Sequence, residues 1–257
     1  MRTYSLSSLQ KLLNITLLYD NGYKISKIAK IPEADIPNAV KEVVSNKTNK
    51  SKNLNAFKLA MMNFDQTIFF DTYDKLLKTK SFREVFKEVF IPLLNEIGLL
   101  WQTDTISPAH EHFITSLIKQ KILVNTERIQ HQKPIKDNKV FVSFLPENEI
   151  HDIGLLYLNY EILLKGYKVI YLGQTIPIES LVDLKKYFDN IYFLSYFTVK
   201  PDKSGINDYI SDFEKFLEDY ANPNLWILGR QTQYLEKPNL PKFLKIFTSI
   251  EEVVQNL

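Results

Sequence analysis

The spacing of the apolar residues changes once along this chain, and that change decides its fold class. From Leu54 to about Gln132 the spacing is helical: Phe57, Met61 and Phe64; Phe69, Tyr73, Leu76 and Leu77; Phe82, Val85, Phe86, Val89, Phe90, Leu93 and Leu94; Phe113, Leu117, Ile118 and Ile122. Four amphipathic helices with short connections predict a bundle over 54–132. Pro92 is expected to bend the third helix, because it lacks a backbone donor and its ring clashes with the preceding turn. After "HQKPIKDNK" the period shortens. The runs "VFVSFL", "KVIYLG", "IYFLSYF", "LWILG" and "KIFTSI" alternate with helix-like segments beginning near Ile150, Glu179, Asn207 and Ser249. Such runs suit strands buried on both faces, so residues 138–257 are expected to form a five-stranded parallel sheet with helices on both sides. Right-handed crossovers favour a doubly wound, flavodoxin-like arrangement. The expected class is α + α/β, a four-helix cap bundle followed by a sheet domain.

Composition narrows the function. The 257 residues exceed the usual single-domain size. With 32 basic and 30 acidic residues the net charge is +2, so any contact with DNA must be local. The absence of cysteine excludes disulfides, thiolate zinc sites and cysteine nucleophiles, and suits a reducing cytosol. No charged-then-apolar leader and no bilayer-length apolar run is present, which predicts a soluble cytoplasmic protein without a membrane partner. At the start, Leu6, Leu9, Leu13, Leu17 and Leu18 predict a helix, Asn21-Gly22 a turn, and Ile25, Ile28 and Ile31 a short second helix, within a section spanning 1–45. The basic, aperiodic stretch at 46–53 reads as a linker.

One loop invites chemistry. "FLPENEIHDIGLLYL" places His151 between Glu149 and Gly154, where the first strand ends and an amphipathic helix is expected. One reading is a helix start with an incidental histidine. The other follows from position: in such a sheet ligands collect at the carboxyl ends of the strands, where Gly154, Gly173, Ser195 and Gly229 share the rim.

"EIHDIG" resembles the (Asp/Glu)-x-His-x-x-Gly signature of cobalamin-binding domains, with Asp152 inside it, Ser195 in the place of the family's Ser-x-Leu and Gly229 in that of its Gly-Gly. The resemblance implies cobalamin as cofactor and His151 as the metal ligand from below, with the cofactor's own base displaced and its nucleotide tail threaded into the domain. Imidazole suits transition metals, and a carboxylate on its second nitrogen, here Glu149, fixes the tautomer. Two departures stand out: "YF" follows Ser195, and Arg230 follows Gly229, where its donors would either crowd the tail or hold its phosphate.

Upstream, "GLLWQTDTISPAHEHFITS" sets Trp101 nine residues before Glu111-His112. This resembles the Trp-x9-Glu-His motif of adenosylcobalamin-binding regulators of the CarH type, whose helical bundle caps the upper face of the corrin. The same residues also read as a tryptophan closing one helix and Ser107-Pro108 opening the next. Gln102 stands where light sensors of that type carry a second cobalt-ligating histidine; His110 lies nearby, and His131 is expected to be solvated. "RTYSLSSLQKLLNITLLYDNGYKISKIAKI" resembles the wing and later helices of a MerR-type DNA-binding domain, with Arg2, Tyr4 and some of Lys24, Lys27 and Lys30 as phosphate contacts, or else a short helical adaptor. The helix-turn-helix of that family has no counterpart here, which predicts a truncated part of a longer regulator. The resemblances together imply the sensory part of a MerR-family transcriptional regulator. It would bind adenosylcobalamin, respond to light, form a homo-oligomer, reach DNA only through the missing helix-turn-helix, and not be an enzyme. The alternatives are a corrinoid methyl carrier of a methyltransferase system and a degenerate, cofactor-free regulator.

Overall fold

The computed structural model describes residues 11–12, 14–16, 18–19, 22–36, 38–40, 52–102, 106–220, 222–235 and 240–257. They fall into two compact units, Met1–Ile118 and Lys119–Leu257. Among the described residues no helix is long and apolar enough to cross a membrane.

The first unit opens with helical turns among residues 11–19 and a tight turn at Gly22, whose φ of 90° is cheap for glycine alone. Helix α1 (Ile25–Ile28) and a 3₁₀ turn (Glu33–Asp35) follow. Leu18, Ile28, Ile36 and Val40 close a small core of their own, as expected for two helices joined by a turn. Arg2 and Tyr4 lie outside the described residues, as does linker segment 46–51.

The bundle begins with α2 (Lys52–Asn63) and α3 (Gln66–Leu77). Asp65 starts α3 sharply, its carboxylate accepting from Thr67 N at 2.8 Å and Ile68 N at 3.1 Å. Helix α4 (Phe82–Val85) starts at a capping box between Ser81 and Glu84. It runs through a π turn (Phe86–Phe90) into α5 (Ile91–Gln102). The disturbance expected at Pro92 thus appears as a widened turn just before it. The core is aromatic: Phe57 meets Phe69 and Phe90 edge-on at 5.0 and 5.4 Å, and Tyr73 stacks on Phe90 at 6.1 Å. Each such pair contributes about 0.5–1.5 kcal/mol beyond its buried area. Helix α6 (Pro108–Gln130) spans the boundary between the units.

The sheet has the order β2-β1-β3-β4-β5 and is parallel throughout, the doubly wound arrangement expected. Its strands are β1 (Lys136–Phe144), β2 (Tyr167–Gly173), β3 (Ile191–Tyr196), β4 (Leu225–Leu228) and β5 (Leu244–Ile246). One face carries Val142, Phe144, Phe193 and Ile227, packed with Phe213 of α8 (Ile206–Leu217) and Leu181 of a 3₁₀ segment (Ile178–Lys186). The alternate residues Phe141, Tyr192 and Trp226 form a ring cluster with centroids 5.4–5.5 Å apart. Helix α7 (Ile153–Leu164) differs from the amphipathic helix expected from Ile150: it starts three residues later and is buried from Leu155 to Ile162. It packs on β1, β2 and β3 and also against α9 (Ile250–Gln255), and a helix covered on more than one side needs no polar face.

Two glycines hold close approaches. A Cβ on Gly229, where φ is +112°, would lie 2.4 Å from the carbonyl oxygen of Phe197. At Gly154 it would meet the edge of the Tyr196 ring at 2.6 Å. Backbone cannot yield as a ring can, so Gly229→Ala is expected to cost roughly 2–4 kcal/mol in urea unfolding and Gly154→Ala clearly less. Equal losses at both positions would contradict this ranking.

Candidate functional site

The loop leaving β1 is shaped around one carboxylate. Asn148 takes a φ of 63°, a conformation asparagine tolerates, and this turns Glu149 inward. The Glu149 side chain is fully buried. Its Oε1 accepts from Ile150 N at 2.9 Å and His151 N at 3.0 Å, and lies 2.6 Å from His151 Nδ1. Its Oε2 accepts from Val199 N at 2.6 Å and Lys200 N at 2.8 Å, in the loop after β3. Burial alone would push this carboxyl up. The hydrogen bond from His151 and the backbone N–H groups of Lys200, Val199 and His151 outweigh it and hold the group at about 2. An ionised carboxylate has no proton to give, so Nδ1 donates to it, and in the neutral imidazole the lone pair then falls on Nε2. The imidazole, 46 % exposed, thus offers a metal-ligating nitrogen whose tautomer is set from behind.

The neighbours fix the loop. Gln174 Nε2 donates to Ile150 O at 2.7 Å. Asp152, at the N-cap of α7, turns its side chain away from the helix and pairs with Lys119. Ser195 is buried, and its hydroxyl donates to Phe144 O at 2.8 Å. A Cβ at Gly154 would meet the Tyr196 ring and one at Gly229 the Phe197 backbone, so both glycines serve close packing. Arg230 opens a 3₁₀ segment (Arg230–Tyr234), is exposed, and has no hydrogen bond or ion pair among the described residues. Glu149, His151, Asp152, Gly154, Ser195, Gly229 and Arg230 therefore gather at the carboxyl rim, the strand ends that the parallel register brings level.

The upstream motif lies in the first unit. Trp101 and Gln102 close α5, and their side chains fall outside what the structure describes. Glu111, half-buried, and His112, exposed, sit in the first turn of α6. His110 stacks on Phe64 at 4.5 Å, and its Nδ1 lies 2.8 Å from Ser107 Oγ and accepts from Ser107 N at 3.3 Å. Neutral His110 then carries its proton on Nε2, the opposite tautomer to His151. Sequence reasoning missed Val199 and Lys200, which act through backbone N–H groups and leave no side-chain signature, and Lys119, one of many surface-type lysines.

The Glu149 anchor has a pH signature. Its folded value near 2 lies below the ordinary 4.5, so its contribution is complete above pH 4.5 and is lost as pH falls toward 2. The span corresponds to about 3 kcal/mol. In a Trp101→Phe background, where Trp226 reports the sheet domain, the stability gap between the chain and its Glu149→Gln variant should narrow steadily below pH 4.5 in urea unfolding. A gap independent of pH would contradict the ionised anchor.

Three similarities to known proteins bear on the fold and the helical bundle. A family model described as the B12 binding domain matches residues 54–124. The HTH-type transcriptional repressor CarH of Myxococcus xanthus is 26% identical over 187 residues, covering 70% of this chain and 61% of that protein. The chain thus spans about three fifths of the length of that curated relative. The monomethylamine corrinoid protein of Methanosarcina barkeri matches with a TM-score of 0.63 at 14% identity, over 78% of this chain and 94% of that one, so the two share a fold. Residues 54–124 thus match a B12 binding domain, the chain shares the fold of the monomethylamine corrinoid protein, and its sequence is similar to that of CarH.

Proposed function

We propose that this chain is the cobalamin-sensing part of a MerR-family transcriptional regulator, that it binds adenosylcobalamin and responds to light, and that it is not an enzyme. The observation that carries the reading is the His151–Glu149 pair, an imidazole whose Nε2 lone pair is fixed by a buried, ionised carboxylate. It offers a single ligand, which suits a metal that brings its remaining ligands in a macrocycle. The donor set fits such a group. When bound, the cofactor supplies a cobalt atom open to a lower ligand and a cobalt–carbon bond that light can break.

The chain's own residues divide the work. His151 would supply the metal ligand, Glu149 holds its ring and tautomer, and Arg230 would offer a guanidinium to the phosphate of the nucleotide tail. Trp101, Glu111 and His112 recognise the adenosyl ligand. Control operates by linkage: the cofactor binds one arrangement of the homo-oligomer better than another, and the preferred arrangement sets DNA binding through a helix-turn-helix in the longer regulator. The relative's being a transcriptional repressor supports this assignment. The rival reading, a methyl carrier of a methyltransferase system, draws support from the fold shared with the monomethylamine corrinoid protein.

Absorption titrations distinguish the two. His151→Ala should weaken adenosylcobalamin and hydroxocobalamin alike, by about 10-fold to 100-fold, and abolish the spectral change on binding. Trp101→Ala, Glu111→Ala and His112→Ala should weaken adenosylcobalamin more than hydroxocobalamin. After green light the upper face should carry water, because the Ser107 contact keeps the proton of His110 on Nε2. Unchanged binding in His151→Ala would overturn the ligand assignment, and methyl transfer from a bound methyl-cobalt donor would favour the carrier.

A further inference from the structure

Asp152 sits where an aspartate caps its own helix, and it does not do so. At the N-cap of α7 its side chain would ordinarily accept from the free N–H groups of the first turn, yet it makes no such bond. Only 9 % of that side chain is exposed, and a carboxylate so enclosed needs a partner. The Tyr171 hydroxyl does not serve: it is buried without a hydrogen-bond partner, although burial, and then the charge of Asp152, raise that phenol above its ordinary range. Lys119 Nζ donates to Asp152 Oδ2 and supplies the counter-charge.

The same residue is joined closely to His151. Asp152 N donates to Ile150 O at 3.0 Å, which closes a three-residue turn with His151 at its centre. Gln174 Nε2 donates to the same oxygen at 2.7 Å. Whatever holds Asp152 therefore acts one peptide away from the imidazole.

Lys119 in turn belongs to α6, the helix whose first turn holds Glu111 and His112. His112 precedes Lys119 by two turns, and Glu111 reaches it in two steps of four through Thr115, so the three follow one side of the helix within about 12 Å of its axis. The helix is continuous from Pro108 to Gln130, so a rotation or slide at Lys119 moves its first turn with it. The ion pair thus links the turn that presents His151 to the helix that presents Glu111 and His112.

We propose that Lys119 is a positioning residue for ligand selection: its ion pair with Asp152 fixes the rotation and height of α6 at the loop that carries His151, and the preference for the adenosyl form of the cofactor depends on that pair. This deepens the function proposed above and rests on it. Lys119 touches no part of the ligand; it acts through Asp152 on one side and through α6 on the other. Without it the loop keeps its other supports, the five hydrogen bonds to Glu149 and the one from Gln174, so the lower ligand stays in place while the register of α6 is lost.

The test titrates the full chain with adenosylcobalamin and with hydroxocobalamin by absorption and follows the ratio of the two dissociation constants. Lys119→Met should reduce the preference for adenosylcobalamin about tenfold while leaving the affinity for hydroxocobalamin unchanged, and Lys119→Arg, which keeps the charge, should retain the preference. Asp152→Asn should reduce the preference by a similar factor. The double variant Lys119→Met/Asp152→Asn, which leaves no buried charge uncompensated, should lose no more than either single variant, because both remove one interaction. An unchanged preference in Lys119→Met, an equal weakening of both cobalamins, or additive losses in the double variant would overturn the assignment and reduce the pair to ordinary packing. A wild-type chain that binds both cobalamins without preference would overturn the adenosyl reading above, and one that binds neither would overturn the corrinoid reading; each would take this inference with it.

Discussion

A buried carboxylate must be paid for with hydrogen bonds, and Glu149 collects them from two loops that lie fifty residues apart in sequence. Val199 and Lys200 donate to one oxygen; Ile150 N, His151 N and His151 Nδ1 crowd the other. Removing any donor exposes a buried charge to apolar surroundings, so the loops after β1 and β3 are held in register by the same group that orients the imidazole. The half-exposed His151 ring is held in place by the same carboxylate. Positioning and folding are here one interaction.

The parallel sheet makes this meeting possible. With β3 beside β1, Phe144 and Ser195 pair in register, and the loops that follow them emerge side by side. β4 lies next to β3, which brings Gly229 against Phe197. Each loop reaches the rim because its strand is buried on both faces and fixed by its neighbours, the general reason that sites in such folds gather at strand ends. The Ser195 hydroxyl bonded to Phe144 O ties the two central strands at that rim.

Much of this was legible in the residues. Continuous apolar runs alternating with helical spacing yielded five parallel strands in doubly wound order, because strands buried on both faces cannot afford polar alternation. The pairing of Glu149 with His151 followed from the resemblance of "EIHDIG" to the cobalamin-binding signature. What spacing could not convey was the backbone share: N–H donors from Val199 and Lys200 carry no residue signature, so the depth of the carboxylate's burial was invisible. The glycines were placed at the rim, and there Gly229 is required by the Phe197 backbone while Gly154 lets α7 pack against the Tyr196 ring. Helix α7 was expected to show a polar face from Ile150, but its contacts with both the sheet and α9 erase the amphipathic pattern that marks surface helices.

The central claim is that the preset Nε2 of His151 is the lower ligand of a bound corrinoid. Electron paramagnetic resonance of reduced cobalamin on the chain grown with nitrogen-15 histidine tests it directly, because a nitrogen bound axially to cobalt splits each cobalt line. Ligation by His151 predicts doublets, the pattern of one nitrogen-15 nucleus, and their disappearance in His151→Ala. Triplets that persist with the labelled chain would show that the cofactor keeps its own base on the metal, and would contradict the account.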